Sequence, residues 1–209
     1  MDSCESEGCH APRLHLAAVM LMAGQGQRLG GRCKALLSVA GEALAIKLVR
    51  ALSDAGLEHI VAVTGHYRSE VEEMLAGQKI TCVAQQGDTH SQADSLRLGV
   101  SSLPQGFDAV MVLPVDMPCL TRDDLVALIG AYKHAPAGIE FVGPVVDGRP
   151  GNPVLFSARI ADRILAGEGA FGSGAWRNQS APWLLNWETD NPHYVIDIDL
   201  PEDLTRWCD

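Results

Sequence analysis

Short apolar runs alternate along the chain with stretches whose apolar residues recur at helical spacing. LAAVMLM (16–22), HIVAVT (59–64), ITCVA (80–84), DAVMVLP (108–114) and IEFVGP (139–144) show almost no polar alternation. That is the pattern of strands covered on both faces, while PVLF (153–156) and HYVID (193–197) are shorter candidates. Between them, Leu44, Leu48, Leu52 and Ala55 share one face of a predicted helix that Gly56 ends. Ser69 and Glu72 resemble a capping box ahead of Val71, Met74 and Leu75. Leu96, Gly99, Val100 and Leu103 repeat the helical spacing, as do Leu125, Leu128, Ile129 and Tyr132 behind an N-cap at Thr121. The alternation predicts an α/β fold: three layers around a mostly parallel, doubly wound, Rossmann-like sheet.

Length sharpens this. With 209 residues, 47% of them hydrophobic, the chain can bury a full core and is expected to form one domain over 15–209 behind a flexible tail, 1–14. That tail is acidic and polar, unlike a signal peptide, and no run approaches membrane-spanning length, so a cytoplasmic protein is expected. The six cysteines are scattered without C-x-x-C spacing and read as reduced thiols. A formal charge of -10 with no Lys/Arg-rich run argues against a nucleic-acid partner, but leaves room for a small anion held by a few local cations and backbone N–H groups. The only composition shift is GEGAFGSGAWRN (167–178), expected to be a mobile loop or substrate flap.

Candidate chemistry begins directly after the first strand. In AGQGQRLGGRCK (23–34), Gly24, Gly26, Gly30 and Gly31 let the backbone approach a ligand, and Arg28, Arg32 and Lys34 bring positive charge. At the carboxyl end of a strand such a loop suits a polyphosphate. It is not a Walker A loop, because Lys34 is followed by Ala35, and not a dinucleotide fingerprint, because Leu29 stands where the third glycine belongs. A glycine-rich turn with solvated cations is the bland alternative.

Two acidic clusters could serve a metal. VLPVDMP (112–118) puts Asp116 in a turn at the end of a strand, where it either caps the turn or offers magnesium a hard oxygen ligand. In DIDLPED (197–203), Asp199 with Glu202 fits a simple helix cap, yet Asp197 and Asp199 share one side of an extended segment, so one could cap while the other reaches a metal.

Three motifs together resemble the MobA-like molybdopterin nucleotidyltransferase family: LMAGQGQRLGGRCKALLSVAGEAL (21–44), VLPVDMPCLT (112–121) and DIDLPEDL (197–204). The resemblance spans nearly all of 16–206 and implies the fold of nucleotide-diphospho-sugar transferases. Within the family, Ala23 and GRPGNPVLF (148–156) are similar to the cytidylyltransferase type, although Asn152 replaces a histidine. SQADSLRLG (91–99) keeps the family's Ser95 and Leu96, whereas GEGAFGSGAWR poorly reproduces the motif near the pterin.

The resemblance implies that Gly24, Gly26, Arg28 and Lys34 hold the triphosphate of an NTP, and that Ala23, Ser95, Thr64 and Gly65 border its base. It implies that Asp116 with Asp199 binds Mg2+, Asp197 standing beside them, and that CMP passes from CTP to a phosphorylated pterin, molybdopterin. A transient molybdoenzyme or chaperone partner is expected to receive the product. Guanylyl transfer, or transfer to a sugar or alcohol phosphate, is the close alternative. A dinucleotide-dependent oxidoreductase and a non-catalytic cofactor carrier are the alternatives from other classes.

Overall fold

The computed structural model describes residues 14–86, 91–168 and 181–208. The tail expected over 1–14 lies outside these residues except for Leu14, as does most of the 167–178 stretch.

Strand β1 (Leu16–Leu21) is central, paired in parallel with β4 (His59–Thr64) on one side and β6 (Ala109–Pro114) on the other. Beyond β4 lies β5 (Thr81–Ala84), also parallel. Beyond β6 the direction reverses once: β9 (Val154–Ser157) runs antiparallel to both β6 and β7 (Phe141–Val146), and β10 (Leu184–Glu188) completes the sheet parallel to β7. Six of these seven strands therefore point the same way. Their carboxyl ends form one rim, the place where open α/β sheets bind ligands.

Because side chains alternate faces along a strand, β1 feeds two separate cores. Ala18 and Met20 join one with α1 (Leu44–Asp54), α2 (Arg68–Met74) and α4 (Arg122–Lys133); Ala17 and Val19 join the other with α3 (Gln92–Ser101) and α5 (Ala158–Leu165). Leu44, Leu48 and Leu52 are fully buried on the face the spacing predicts, each worth roughly 1.5–3 kcal/mol of apolar burial. The fold class expected from the sequence is the one observed.

Several local expectations are corrected. Residues 193–197 form no strand: Pro192 opens a 3-10 turn over Pro192–Val195, and the Asn191 side chain accepts from the His193 N–H, which turns the backbone. Ser69 caps nothing, because α2 starts at Arg68 and Glu72 instead accepts from Arg68 Nε at 2.9 Å. The edge strand β10 carries the poorly alternating sequence LLNWE and is legible only from its pairing. Two small hairpins escape periodicity because each pairs only two residues per arm. β2 (Ser38–Val39) and β3 (Glu42–Ala43) turn at Ala40 and Gly41, and β8 (Arg149–Pro150) returns along β7 through Asp147 and Gly148. Both turns have two consecutive positive φ angles, the requirement of a tight hairpin. Among the described residues no helix is long and apolar enough to cross a membrane.

Candidate active site

The loop after β1 is shaped by its glycines. Gly26, at φ 61°, enters a 3-10 turn over Gln27–Leu29, and a Cβ there would lie 1.9 Å from the Arg32 carbonyl oxygen, so only glycine lets the loop double back. Gly65, just past β4, packs so closely on Ala23 that a Cβ would stand 2.6 Å from its carbonyl oxygen. Gly24 differs: a Cβ there would meet no protein atom within 4 Å, and it borders an open cavity. The Tyr67 hydroxyl, ahead of α2, donates to the Gly31 carbonyl and braces the loop from outside.

That cavity has a volume of about 600 Å³ and is lined by Ala23, Gly24, Gly26, Lys34, Gly65, Ser95 and Asp116 among others. Ser95 is buried near the start of α3 and accepts a hydrogen bond from Gln85 Nε2 at 3.0 Å. Its helix is secured by a capping box of Ser91 and Asp94. Thr64 does not take the expected place: it is fully buried, its hydroxyl donates to the Val83 carbonyl at 3.3 Å, and it lies outside the lining. Gln85, Gln92 and His66 also border the cavity.

The cationic and acidic candidates converge across the sheet rim. Lys34 Nζ donates to Asp116 Oδ2 at 2.7 Å and to Asp199 Oδ1 at 2.6 Å, and Arg28 reaches Asp199 Oδ2 at 3.3 Å. Burial works against the Lys34 charge, but Asp116 and Asp199 outweigh it and hold the ammonium above its ordinary value. Asp197 completes a triad with Asp116 and Asp199, ligand oxygens lying within 4.8 Å of one another. Although its side chain reaches solvent, partial desolvation, and then the charges of Asp116 and Asp199, push its carboxyl above the usual range. Clustered carboxylates offer the hard oxygen ligands that suit a magnesium-like cation.

The backbone explains why these acids are available. Asp199 is not the cap of α6 (Pro201–Trp207): Asp203 accepts from the Asp199 and Leu200 N–H groups at 2.9 and 2.8 Å, which leaves the Asp199 carboxylate to the cations. The Ile198 N–H donates to the Asp116 carbonyl at 2.9 Å, pinning the two acidic segments side by side. Lys47 on α1 donates to the Pro118 carbonyl and steadies the turn after Asp116. Burial pushes the Cys33 thiol up, so the residue beside Lys34 is no ready nucleophile.

A second cavity of about 430 Å³ adjoins the first and shares Gln92, Pro114 and Asp116 with it. Asp197, Asp199, Arg149 and Asn152 also line it. Arg149 stands on β8, and among the described residues no carboxylate pairs with it.

Comparison with known proteins gives this arrangement a context. Bifunctional protein GlmU of Syntrophomonas wolfei subsp. wolfei is 30% identical over 125 residues, 59% of this chain and 27% of that protein, so the match spans only about a quarter of the relative. Rv0371c from Mycobacterium tuberculosis H37Rv superposes with a TM-score of 0.78 at 20% identity, covering 92% of this chain and 97% of that one. Its complex with manganese gives 0.71 at 19% identity, with coverage of 92% and 97%. CMP:2-keto-3-deoxy-manno-octonic acid synthetase, complexed with CTP, gives 0.68 at 15% identity, with 91% and 95% covered. At these identities the structures speak for the fold, that of the nucleotide-diphospho-sugar transferases. The MobA-like NTP transferase domain matches residues 18–183, most of the chain, and the protein belongs to that family.

Proposed function

We propose that this chain transfers a nucleotidyl group from an NTP, CTP by first choice, to the phosphate of molybdopterin, releasing pyrophosphate. The observation that carries this reading is the pair of cavities that meet at Asp116, one walled by the glycine loop and the other by Asp197, Asp199 and Arg149. Two substrates can face each other there across the acidic triad.

In the first cavity Gly24 leaves room for phosphate oxygens and Lys34 supplies charge to hold them, while Arg28 lines an adjoining cleft that Gly24 and Lys34 also border. Ala23, Gly65 and Ser95 border the base. In the second, Arg149 is the cation that would orient the acceptor phosphate. An acceptor oxygen attacks the α-phosphorus, the bond from that phosphorus to the bridging oxygen of the β-phosphate breaks, and pyrophosphate leaves with the bonding pair. Lys34 stabilises the negative charge that builds on the phosphoryl oxygens, and holding both substrates in line removes most of the entropic barrier. Asp116, Asp199 and Asp197 would hold a divalent cation, whose chemistry when bound is to neutralise phosphoryl oxygens. The manganese complex of Rv0371c supports that assignment.

Residues 15–209 act in this reading as one transferase unit. Ala23 and the CTP complex of the structural neighbour support the choice of CTP. A sugar-derived acceptor is the second reading, favoured by the name of that same neighbour. Pyrophosphate release measured with each NTP in magnesium, with and without molybdopterin, tests the proposal. CTP-selective release that requires molybdopterin is expected; release driven equally by every NTP, or by a sugar phosphate alone, would overturn it.

A further inference from the structure

Asp116 and the pair Asp197 and Asp199 come from segments about eighty residues apart, and their convergence depends on how the chain from Asn191 to Asp199 docks. Asp124, at the third position of α4, stands at that docking point. Its carboxylate closes the capping box, accepting from the Thr121 N–H and hydroxyl at 2.8 Å each. A cap needs nothing more. Yet Oδ1 also accepts from Asn191 Nδ2 at 2.5 Å, and Oδ2 lies 3.0 Å from His193 Nδ1, partners 67 and 69 residues away. An ionised carboxylate only accepts, so the His193 ring carries a proton on Nδ1. The Tyr194 hydroxyl then donates to the Asp124 carbonyl at 2.7 Å.

The two residues at the centre of these bonds are buried. Asp124 is 5% exposed and Tyr194 1%. On its other side Tyr194 accepts from the Asn152 N–H at 2.8 Å, and a Cβ on Gly151 would come within 2.3 Å of its carbonyl oxygen. Four residues beyond Tyr194, Ile198 donates to Asp116. A shift of one residue in this extended segment would turn Asp197 and Asp199 away from Asp116, because successive side chains point to opposite sides. Apolar contacts resist such a slip weakly; three directional bonds into one buried residue resist it strongly.

We propose that Asp124 is a positioning residue: through Asn191, His193 and Tyr194 it sets the register that holds Asp197 and Asp199 against Asp116. The metal-binding consequence rests on the function proposed above; the register does not.

The test uses the full chain with Asn191→Ala and Asp124→Asn, the first keeping the α4 cap intact should the second not fold. Hydrogen exchange at the Ile198 amide reads the register, and Mn2+ binding followed by electron paramagnetic resonance reads the acidic triad. Ile198 is expected to exchange at least about tenfold faster in Asn191→Ala, with β1 and α1 unchanged. Mn2+ affinity is expected to fall about 10–100-fold, as for outer-shell partners of metal ligands, while KM for the NTP moves less than about twofold. Unchanged exchange at Ile198 overturns the inference whatever the metal does. Should the wild type bind no Mn2+, the proposed metal role falls, and faster exchange at Ile198 still upholds the positioning.

Discussion

Lys34 and Asp116 form a part-buried ion pair at 2.7 Å across 82 residues of sequence, joining the glycine loop to the turn at the end of β6. One cation is shared between two carboxylates, Asp116 and Asp199, so the glycine loop and the two acidic segments are bound together.

That link makes Lys34 and Asp116 the most sensitive positions for turnover. On the proposed reaction, Lys34→Met removes the charge that stabilises the phosphoryl oxygens and should lower kcat by about 10²–10³-fold, the usual cost of losing one preorganised electrostatic contact. Asp116→Asn should abolish metal-dependent turnover with the fold intact. Steady-state pyrophosphate release, with circular dichroism as a control, checks both.

Gly26 and Gly24 should respond in opposite ways. Gly26→Ala places a methyl group against the Arg32 carbonyl at a positive φ, so a loss of roughly 1–3 kcal/mol in stability is expected, together with a higher NTP KM. Gly24→Ala meets no protein atom and should leave thermal stability near wild type, yet it should weaken NTP binding because the methyl enters the cavity. Denaturant unfolding and nucleotide titration separate the two outcomes.

Ser95 and Thr64 offer a second contrast. Ser95→Ala exposes a change in the cavity wall and should raise the NTP KM. Thr64→Val loses one buried hydrogen bond to Val83, about 0.5–1.5 kcal/mol, and should leave the KM within about twofold. A large KM change in Thr64→Val would place that residue in the site after all.

Acid should expose the role of Asp124. Burial alone would raise its pKa, but the bonds from Thr121, His193 and Asn191 outweigh burial and hold the carboxyl below its ordinary 3.8. A depressed carboxylate pKa contributes stability above the ordinary value, and that contribution is lost as pH falls towards the folded value. The stability gap between wild type and Asp124→Asn should therefore be full near neutrality and shrink below about pH 4. Chemical unfolding at several pH values measures it; a gap that grows in acid would contradict the sign.

Much of the fold was legible because burial on both faces leaves a simple signature. The runs at 16–22, 59–64 and 108–114 are apolar along almost their whole length since each lies between helices in the middle of a sheet. β10 was not legible, because an edge strand has one partner and its sequence need not alternate. The tight hairpins at 38–43 and 145–150 were too short for any period to register.

The site divides along a similar line. Loop chemistry is local, so Gly24, Gly26, Arg28 and Lys34 could be named from spacing and charge, and Asp116 from its turn. Thr64 misled because a strand end can point either way, and its hydroxyl turned to Val83. For Asp199, the sequence left cap and metal ligand both open. Asp203 takes the helix cap, a choice between two nearby carboxylates that depends on backbone direction, and the Asp199 carboxylate turns to Lys34 and Arg28 instead. Local pattern and residue type established an α/β sheet with a glycine- and cation-bearing loop and two acidic segments. That those segments meet, with Lys34 between them and Asp124 holding their register, follows from contacts spanning 67 to 165 residues, which no window along the chain contains.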